Sequence, residues 1–262
     1  MKQRVIIAIT TLLALTACGE YFEFDTQQPT DASQMQLGRH VITLVEGDQF
    51  KLPVAWSPEQ PSNTSVHWLV EEGDVATMRG DTVVARQAGV TRTIAFTAYE
   101  ELRDTCIVNV LPPLKYTMGN YPYDQVFYAR VTVDGKQLTT DNDQSVIIAA
   151  FVGDEVRGVA YTTFDRRGDH LIDYTLLRVW SPNPKGDEMH IVCYSPKQAR
   201  LVELPNTITF DGESHGTLKN LYPMDFDGSA QEFLPNAEGY EVYEDEDPIV
   251  IELDDNGQPI IN

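Results

Sequence analysis

The chain has 262 residues, with 40 Asp and Glu against 19 Lys and Arg and a formal net charge of −21. That balance excludes a nucleic-acid groove, which needs clustered basic side chains, and it leaves no charge attraction to an anionic membrane surface. Three cysteines are too few for a disulfide scaffold, and the length fits one large or two ordinary domains, each able to close its own core.

The chain opens with Lys2 and Arg4, an almost unbroken apolar run over residues 5–15, and the small residues Thr16 and Ala17 ahead of Cys18. This is the layout of an export signal, and the run is shorter than the ~20 apolar residues that a membrane span needs. Leu15-Thr16-Ala17-Cys18 resembles a bacterial lipobox. The resemblance implies that residues 1–17 are removed as a signal peptide and that Cys18 is acylated, giving an outer-membrane lipid anchor. Several acyl chains at about 0.8 kcal/mol per buried CH₂ make such an anchor effectively permanent. Loss of Lys2 and Arg4 leaves 17 basic residues against all 40 acidic ones. Glu20, Glu23 and Asp25 directly after Cys18 resemble the surface-export signal of Bacteroidetes lipoproteins, which implies exposure on the cell surface. A merely solvated linker is the alternative, because residues 18–36 are acidic and polar with no apolar period.

Residues 37–111 read as a first domain. Strand signals fall at 41–45, 49–54, 65–70, 82–86, 91–99 and 105–110. Turn chemistry separates them at Glu46-Gly47-Asp48, 58–63, Glu72-Gly73-Asp74, Arg79-Gly80-Asp81 and Ala88-Gly89. No helical period is sustained, so an antiparallel sandwich is predicted. Val66-His67-Trp68, then Asp74-Val75-Ala76-Thr77-Met78, Val83-Val84-Ala85, Ala88-Gly89 and Cys106-Ile107-Val108-Asn109-Val110 resemble, in order and spacing, the bacterial Ig-like group 2 repeat. Leu69 to Glu72 and Thr91 to Thr93 depart from that pattern and bear on loop shape. Trp68 alternates with Val66 and Val70 on one strand face, which makes it a core residue and not a sugar platform. Arg79-Gly80-Asp81 invites an adhesion reading, yet it falls where a hairpin turn is required.

Leu111-Pro112-Pro113 closes the first domain, since prolines cannot continue a ladder, and residues 112–115 form a stiff linker. The second domain, 116–235, carries strand signals at 126–133, 145–152, 155–164, 174–180, 188–194 and 207–210. Residues 146–152 are apolar on both faces, which predicts a central strand. Val131-Thr132-Val133-Asp134-Gly135 and the hairpin from Ala149 to Ala160 resemble a β-sandwich module recurrent in Bacteroidetes surface proteins; the resemblance implies a surface module and brings no catalytic residues. Asp154, Glu155 and Arg157 read as a turn with an arginine paired across strands. Residues 236–262 form an acidic tail. From Asn220 onward there are 12 acidic residues and no Lys or Arg. Residues 243–247 self-repel into solvent, and residues 249–253 read as a strand, either an added edge of the second sandwich or an edge offered to a partner by β-augmentation.

Metal and catalytic chemistry find little support. Asp165, Asp169 and Asp173, the pair Asp141 and Asp143, and the pair Asp225 and Asp227 offer carboxylates without an EF-hand loop, and the five histidines show no zinc spacing. There is no nucleophile elbow, phosphate loop or dinucleotide fingerprint. Cys106 and Cys193 lie in different domains and read as small buried hydrophobes. The expectation is an all-β chain of two consecutive β-sandwich domains, the first Ig-like, that is non-catalytic, has no cofactor and serves binding or adhesion at the cell surface. One alternative is a glycan-binding accessory lipoprotein of a polysaccharide-uptake system, with Trp180, Tyr121 and Tyr123 stacking on sugar rings beside Tyr116. The other is a structural subunit of a surface assembly, with the tail as contact. The partners so implied are the membrane through the anchor and a surface protein or glycan, not nucleic acid.

Overall fold

A computed structural model describes residues 31–228 apart from positions 60, 63, 99–101, 117–118, 143 and 168–169. Residues 1–17, expected to be a signal peptide, Cys18, residues 19–30 of the expected linker, and residues 229–262 with the expected tail therefore lie outside the described residues.

Among the described residues nine strands form the first unit: β1 (Gln34–Leu37), β2 (Val41–Val45), β3 (Gln49–Lys51), β4 (Val54–Ser57), β5 (His67–Val70), β6 (Ala76–Arg79), β7 (Thr82–Ala85), β8 (Gly89–Phe96) and β9 (Arg103–Leu111). A four-stranded sheet in the order β2-β9-β8-β5 faces a three-stranded sheet, β3-β7-β6, and β1 pairs with β4 alongside. β2 runs parallel to β9. Between the sheets lie Ile42, Leu44, Leu52, Ala76, Val83, Cys106 and Val108, with Trp68 packed against them. This is an Ig-like sandwich. Trp68 is a core-packing residue, as its alternation predicts.

Two differences from the sequence reading have local causes. The strand expected over 49–54 is split, because Pro53 has no amide to continue the ladder, and Leu52 turns fully into the core at the break. β1 occupies positions that composition assigns to the linker. It is polar at Gln34 and Gln36, but Met35 and Leu37 alternate inward, a pattern too short to stand out.

The second unit contains β10 (Tyr123–Val133), β11 (Lys136–Gln137), β12 (Ile147–Val152), β13 (Glu155–Arg167), β14 (His170–Ser181), β15 (Glu188–Ser195), β16 (Arg200–Glu203), β17 (Ile208–Thr209), β18 (Ser214–His215) and β19 (Tyr222–Phe226). They form one strand path, β11-β10-β14-β13-β12-β15-β16, with β17 on β15 and β18 and β19 on β10. β13 makes the path curl. Its first half, to Tyr161, pairs with β12, and from Thr162 it pairs with β14. A strand that changes partners in this way turns the corner between two layers. Gly158 sits at the close approach of those layers: a Cβ there would lie 2.4 Å from the Arg178 carbonyl oxygen. Phe127, Ile148, Leu177, Met189, Ile191, Phe210 and Met224 fill the interior.

Turn chemistry is as read. Asp134 and Gly135 both take positive φ, 52° and 72°, between β10 and β11, the conformation of the tightest hairpins. β16, β18 and β19 were not expected. β19 contains Pro223, which is tolerated because its other side has no strand partner among the described residues, and it runs parallel to β10 with Met224 and Phe226 inward.

The central strand β12 is buried on both faces for a reason beyond its own sandwich. Ile148 and Ala150 face the second core. Ala149 and Phe151 face a third cluster with Val192, Tyr194 and Leu201, completed by Leu111 and Leu114 of the connection and by Val45. The two sandwiches thus share apolar contacts across their junction. Backbone bonds reinforce it, the Thr43 amide donating to the Ala199 carbonyl at 2.8 Å. Ala199 itself packs into the first core. Cys106 and Cys193 are buried thiols in no disulfide.

Candidate ligand-facing site

The sequence-predicted aromatics gather where the first turn of the second unit meets the end of β14. Along β14 the odd positions Thr175, Leu177, Val179 and Ser181 are buried, so the even positions Leu176, Arg178 and Trp180 point outward. Asp124 of β10 is in register with Trp180, and Tyr123 with Ser181.

Two cation–aromatic pairs result. The Arg178 guanidinium lies 4.7 Å from the Trp180 ring centre, held by a 2.7 Å hydrogen bond to Asp124. Arg157 lies 4.2 Å over the Tyr121 ring, and the Tyr121 hydroxyl donates to the Glu155 carboxylate at 2.8 Å. Tyr116 joins them by stacking on Trp180, with centroids 6.0 Å apart and planes at 18°. Trp180 is half-buried with its ring engaged by both Tyr116 and Arg178. Tyr123 is the more open ring at 42 % exposure.

Arg157 departs from its predicted role. Its ion-pair partner is not across the hairpin but two residues earlier on the same strand and face: Nε is 3.0 Å from Glu155 Oε2. The side chain is buried, and neither Nε nor Nη1 makes a hydrogen bond among the described residues; the Tyr121 π face takes part of that place. The Glu155 hydrogen bond pushes the Tyr121 phenol up, and burial does the same for Tyr116. Asp187 is held below the ordinary carboxylate range by the Ser181 hydroxyl at 2.6 Å, then by the Asn183 amide, with the Arg157 charge adding to both.

Of these groups Tyr123 and Arg178 are the exposed ones, and they offer one aromatic face for stacking on a ring and one guanidinium for hydrogen bonding with its polar substituents. Arg178 and Asp124 were missed in the sequence. The alternation Arg178-Val179-Trp180 was their one local signal, because it places both side chains on one strand face.

The other candidate residues serve structure. Asp173 accepts from the Thr140 amide and hydroxyl, both at 2.8 Å, and Asp225 accepts from Thr132 at 2.6 Å. Asp143 and Asp169 lie outside the described residues. His40, His190 and His215 each face one carboxylate, those of Asp104, Glu203 and Asp211, and His67 stacks on Phe96. Among the described residues no group of three His, Cys, Asp or Glu is placed to hold a metal. Arg79-Gly80-Asp81 spans the β6–β7 turn, with Gly80 at φ 62° and Asp81 paired to Lys51 at 2.9 Å.

No protein-family model matches the chain, and no curated protein matches it. Among solved structures it is similar to domains 4–9 of the surface layer protein SbsC, at 12% identity over 74% of this chain and 31% of that one, TM-score 0.26. A fragment of domains 5–6 of the S-layer protein SbsC gives 11% identity over 71% and 99%, TM-score 0.26. The titin Ig tandem A164-A165 gives 11% over 74% and 97%, TM-score 0.18. The chain spans about a third of the length of the first of these, and at such scores none bears on what it binds or does.

Proposed function

We propose that this chain is a non-catalytic, lipid-anchored protein of the outer cell surface, in which an Ig-like group 2 sandwich acts as a spacer and the second sandwich presents the binding surface. The observation that carries this reading is the shared apolar junction around Tyr194, Leu201 and Leu111. It supports a fixed orientation of the second sandwich on the first, which is what a presenting pedestal requires. The lipobox at Leu15 to Cys18 supplies the anchor. In cell fractionation, Cys18→Ser releases a folded soluble protein, and a membrane-impermeant label modifies the parent chain on intact cells. A variant that stays with the membrane, or a parent chain that is labelled only after lysis, overturns the reading.

The second reading is glycan capture, favoured by the convergence of Tyr116, Tyr121 and Trp180 with two arginines beside the exposed Tyr123. Retardation in polysaccharide-containing gels, abolished by Trp180→Ala or Tyr123→Ala, supports it. Unaltered mobility of the parent chain across a panel of polysaccharides removes it.

A further inference from the structure

The exposed large apolar side chains among the described residues are Tyr123, Tyr161, Phe164, Leu171 and Leu176. Four of these five sit on one hairpin, the β13–β14 pair. Single apolar side chains scattered over a surface need no explanation, but a group of them marks a contact site.

The hairpin also outruns the sheet that supports it. β12 accompanies β13 only as far as Tyr161, and β10 meets β14 only from Thr175 onward. Over residues 162–167 and 170–174 the two strands pair with each other and with no third strand among the described residues. Thr162 and Thr175, buried and in hydroxyl contact at 3.3 Å, form the last inward pair over the core. Phe164 and Leu171 occupy inward positions beyond it and are exposed. A ribbon of two strands is marginal by itself in water. Beside β14, the Thr140 amide and hydroxyl already bond Asp173, both at 2.8 Å. The outer edge of β13 is thus the one left open, and such an edge is a template for another strand.

The sequence of that edge is self-complementary. Facing residues of an antiparallel pair share a face, so a twofold axis normal to the sheet must pass through a residue position. An axis at Asp165, Arg166 or Arg167 sets a charge against its own copy, which is unfavourable. An axis at Thr163 or earlier runs the partner strand into Tyr161, where β12 holds the edge. An axis at Phe164 meets neither obstacle. Thr162 then faces the partner's Arg166, Thr163 faces the partner's Asp165, and the two Phe164 rings face each other. Arg166 lies diagonal to the partner's Phe164, within reach of a cation–π contact.

We propose that two copies of this chain associate edge to edge through β13, in the antiparallel register centred on Phe164. The ladder over residues 162–166 has about the mean length of a strand. Two chains of net charge −21 repel each other, so added salt screens that repulsion and tightens the pair. The proposal depends on neither the anchor nor any ligand.

The test uses the full chain carrying Cys18→Ser, in which the remaining thiols, Cys106 and Cys193, are buried. Sedimentation equilibrium should show a reversible monomer–dimer system that tightens as salt is raised. Phe164→Asp sets two like charges face to face at an exposed site and should weaken the dimer by about tenfold or more, with an unchanged circular dichroism spectrum. Mild oxidation reads the register. Phe164→Cys should give a disulfide-linked dimer, whereas Thr163→Cys and Asp165→Cys should cross-link to each other when mixed and not when alone. Each of those two lies two positions away from its own copy, beyond the Cα separation of about 7 Å that a disulfide can bridge. A parent chain that stays monomeric up to about 1 mM, a dimer indifferent to Phe164→Asp, or cross-links of equal yield from all three cysteines alone would each overturn the proposal.

Discussion

The Tyr194 hydroxyl donates to Asp48 Oδ2 at 2.5 Å and accepts the Val45 amide at 3.2 Å. Tyr194 belongs to β15 and Asp48 to the β2–β3 turn, so this chain of bonds crosses the junction between the two sandwiches. Burial, and then the Asp48 carboxylate, push the phenol well above its ordinary range, which keeps the proton in place as donor.

Tyr194→Phe leaves the ring in the apolar cluster but strips the Val45 amide of one acceptor and Asp48 of its donor. Such a loss costs about 1–3 kcal/mol, measurable by urea unfolding. The pH dependence has a defined sign. A raised folded pKa contributes stability that is complete below the unfolded value of about 10 and is lost as pH rises beyond it. The difference between parent and variant is therefore flat up to about pH 10 and shrinks above. A difference that grew with alkaline pH would contradict the assignment.

Gly158→Ala drives a methyl group into the Arg178 carbonyl and the Val179 Cα, and all three nearest atoms are backbone. Overpacking of this kind costs about 1–3 kcal/mol or more. Gly80→Ala has open space around it and suffers only from its left-handed φ, about 1–2 kcal/mol. Thermal denaturation of the pair separates steric from conformational cost, and only Gly158→Ala should also disturb the Arg178–Trp180 contact seen in tryptophan fluorescence.

Asp187 ties Ser181 and Asn183 into the turn after β14, and its folded pKa is depressed. Its contribution is present above the unfolded carboxylate value near pH 4 and is lost as pH falls through the folded value. Asp187→Asn should therefore flatten the acid limb of the stability profile below about pH 4 and leave its neutral region parallel to that of the parent chain. An unchanged acid limb would show that the hydrogen bonds to Ser181 and Asn183 carry no linkage.

Arg157 is buried with two nitrogens, Nε and Nη1, that make no hydrogen bond among the described residues, so its removal relieves a desolvation cost as well as losing a cation–π contact. Replacing such a charge by an apolar side chain of similar length is often neutral or stabilising. Arg157→Met should lie within about 1 kcal/mol of the parent in chemical denaturation. A loss above about 2 kcal/mol would mean that Tyr121 and Glu155 compensate the charge fully.

The sequence by itself was sufficient for the local elements that rest on local chemistry. Alternation and β-branched runs mark β2, β7 and β10, and Asp134-Gly135 and Gly153-Asp154 mark the β10–β11 and β12–β13 hairpins, because period and turn conformation depend on residues within a few positions of each other. The double-sided apolarity of β12 was also legible, but not its cause, since Phe151 and Tyr194 meet Leu111 only once two sandwiches are set against each other. Short strands with weak patterns, β1, β16 and β19, form because a neighbour offers an edge and a core. Likewise Tyr116, Tyr121 and Trp180 could be named as aromatics, while the arginines that lie over two of their rings and the stack of Tyr116 on Trp180 were decided by tertiary structure alone. Contacts between residues tens of positions apart depend on how the sheet curls, and that curl is set at one point, where β13 exchanges one partner for another at Tyr161 and Thr162.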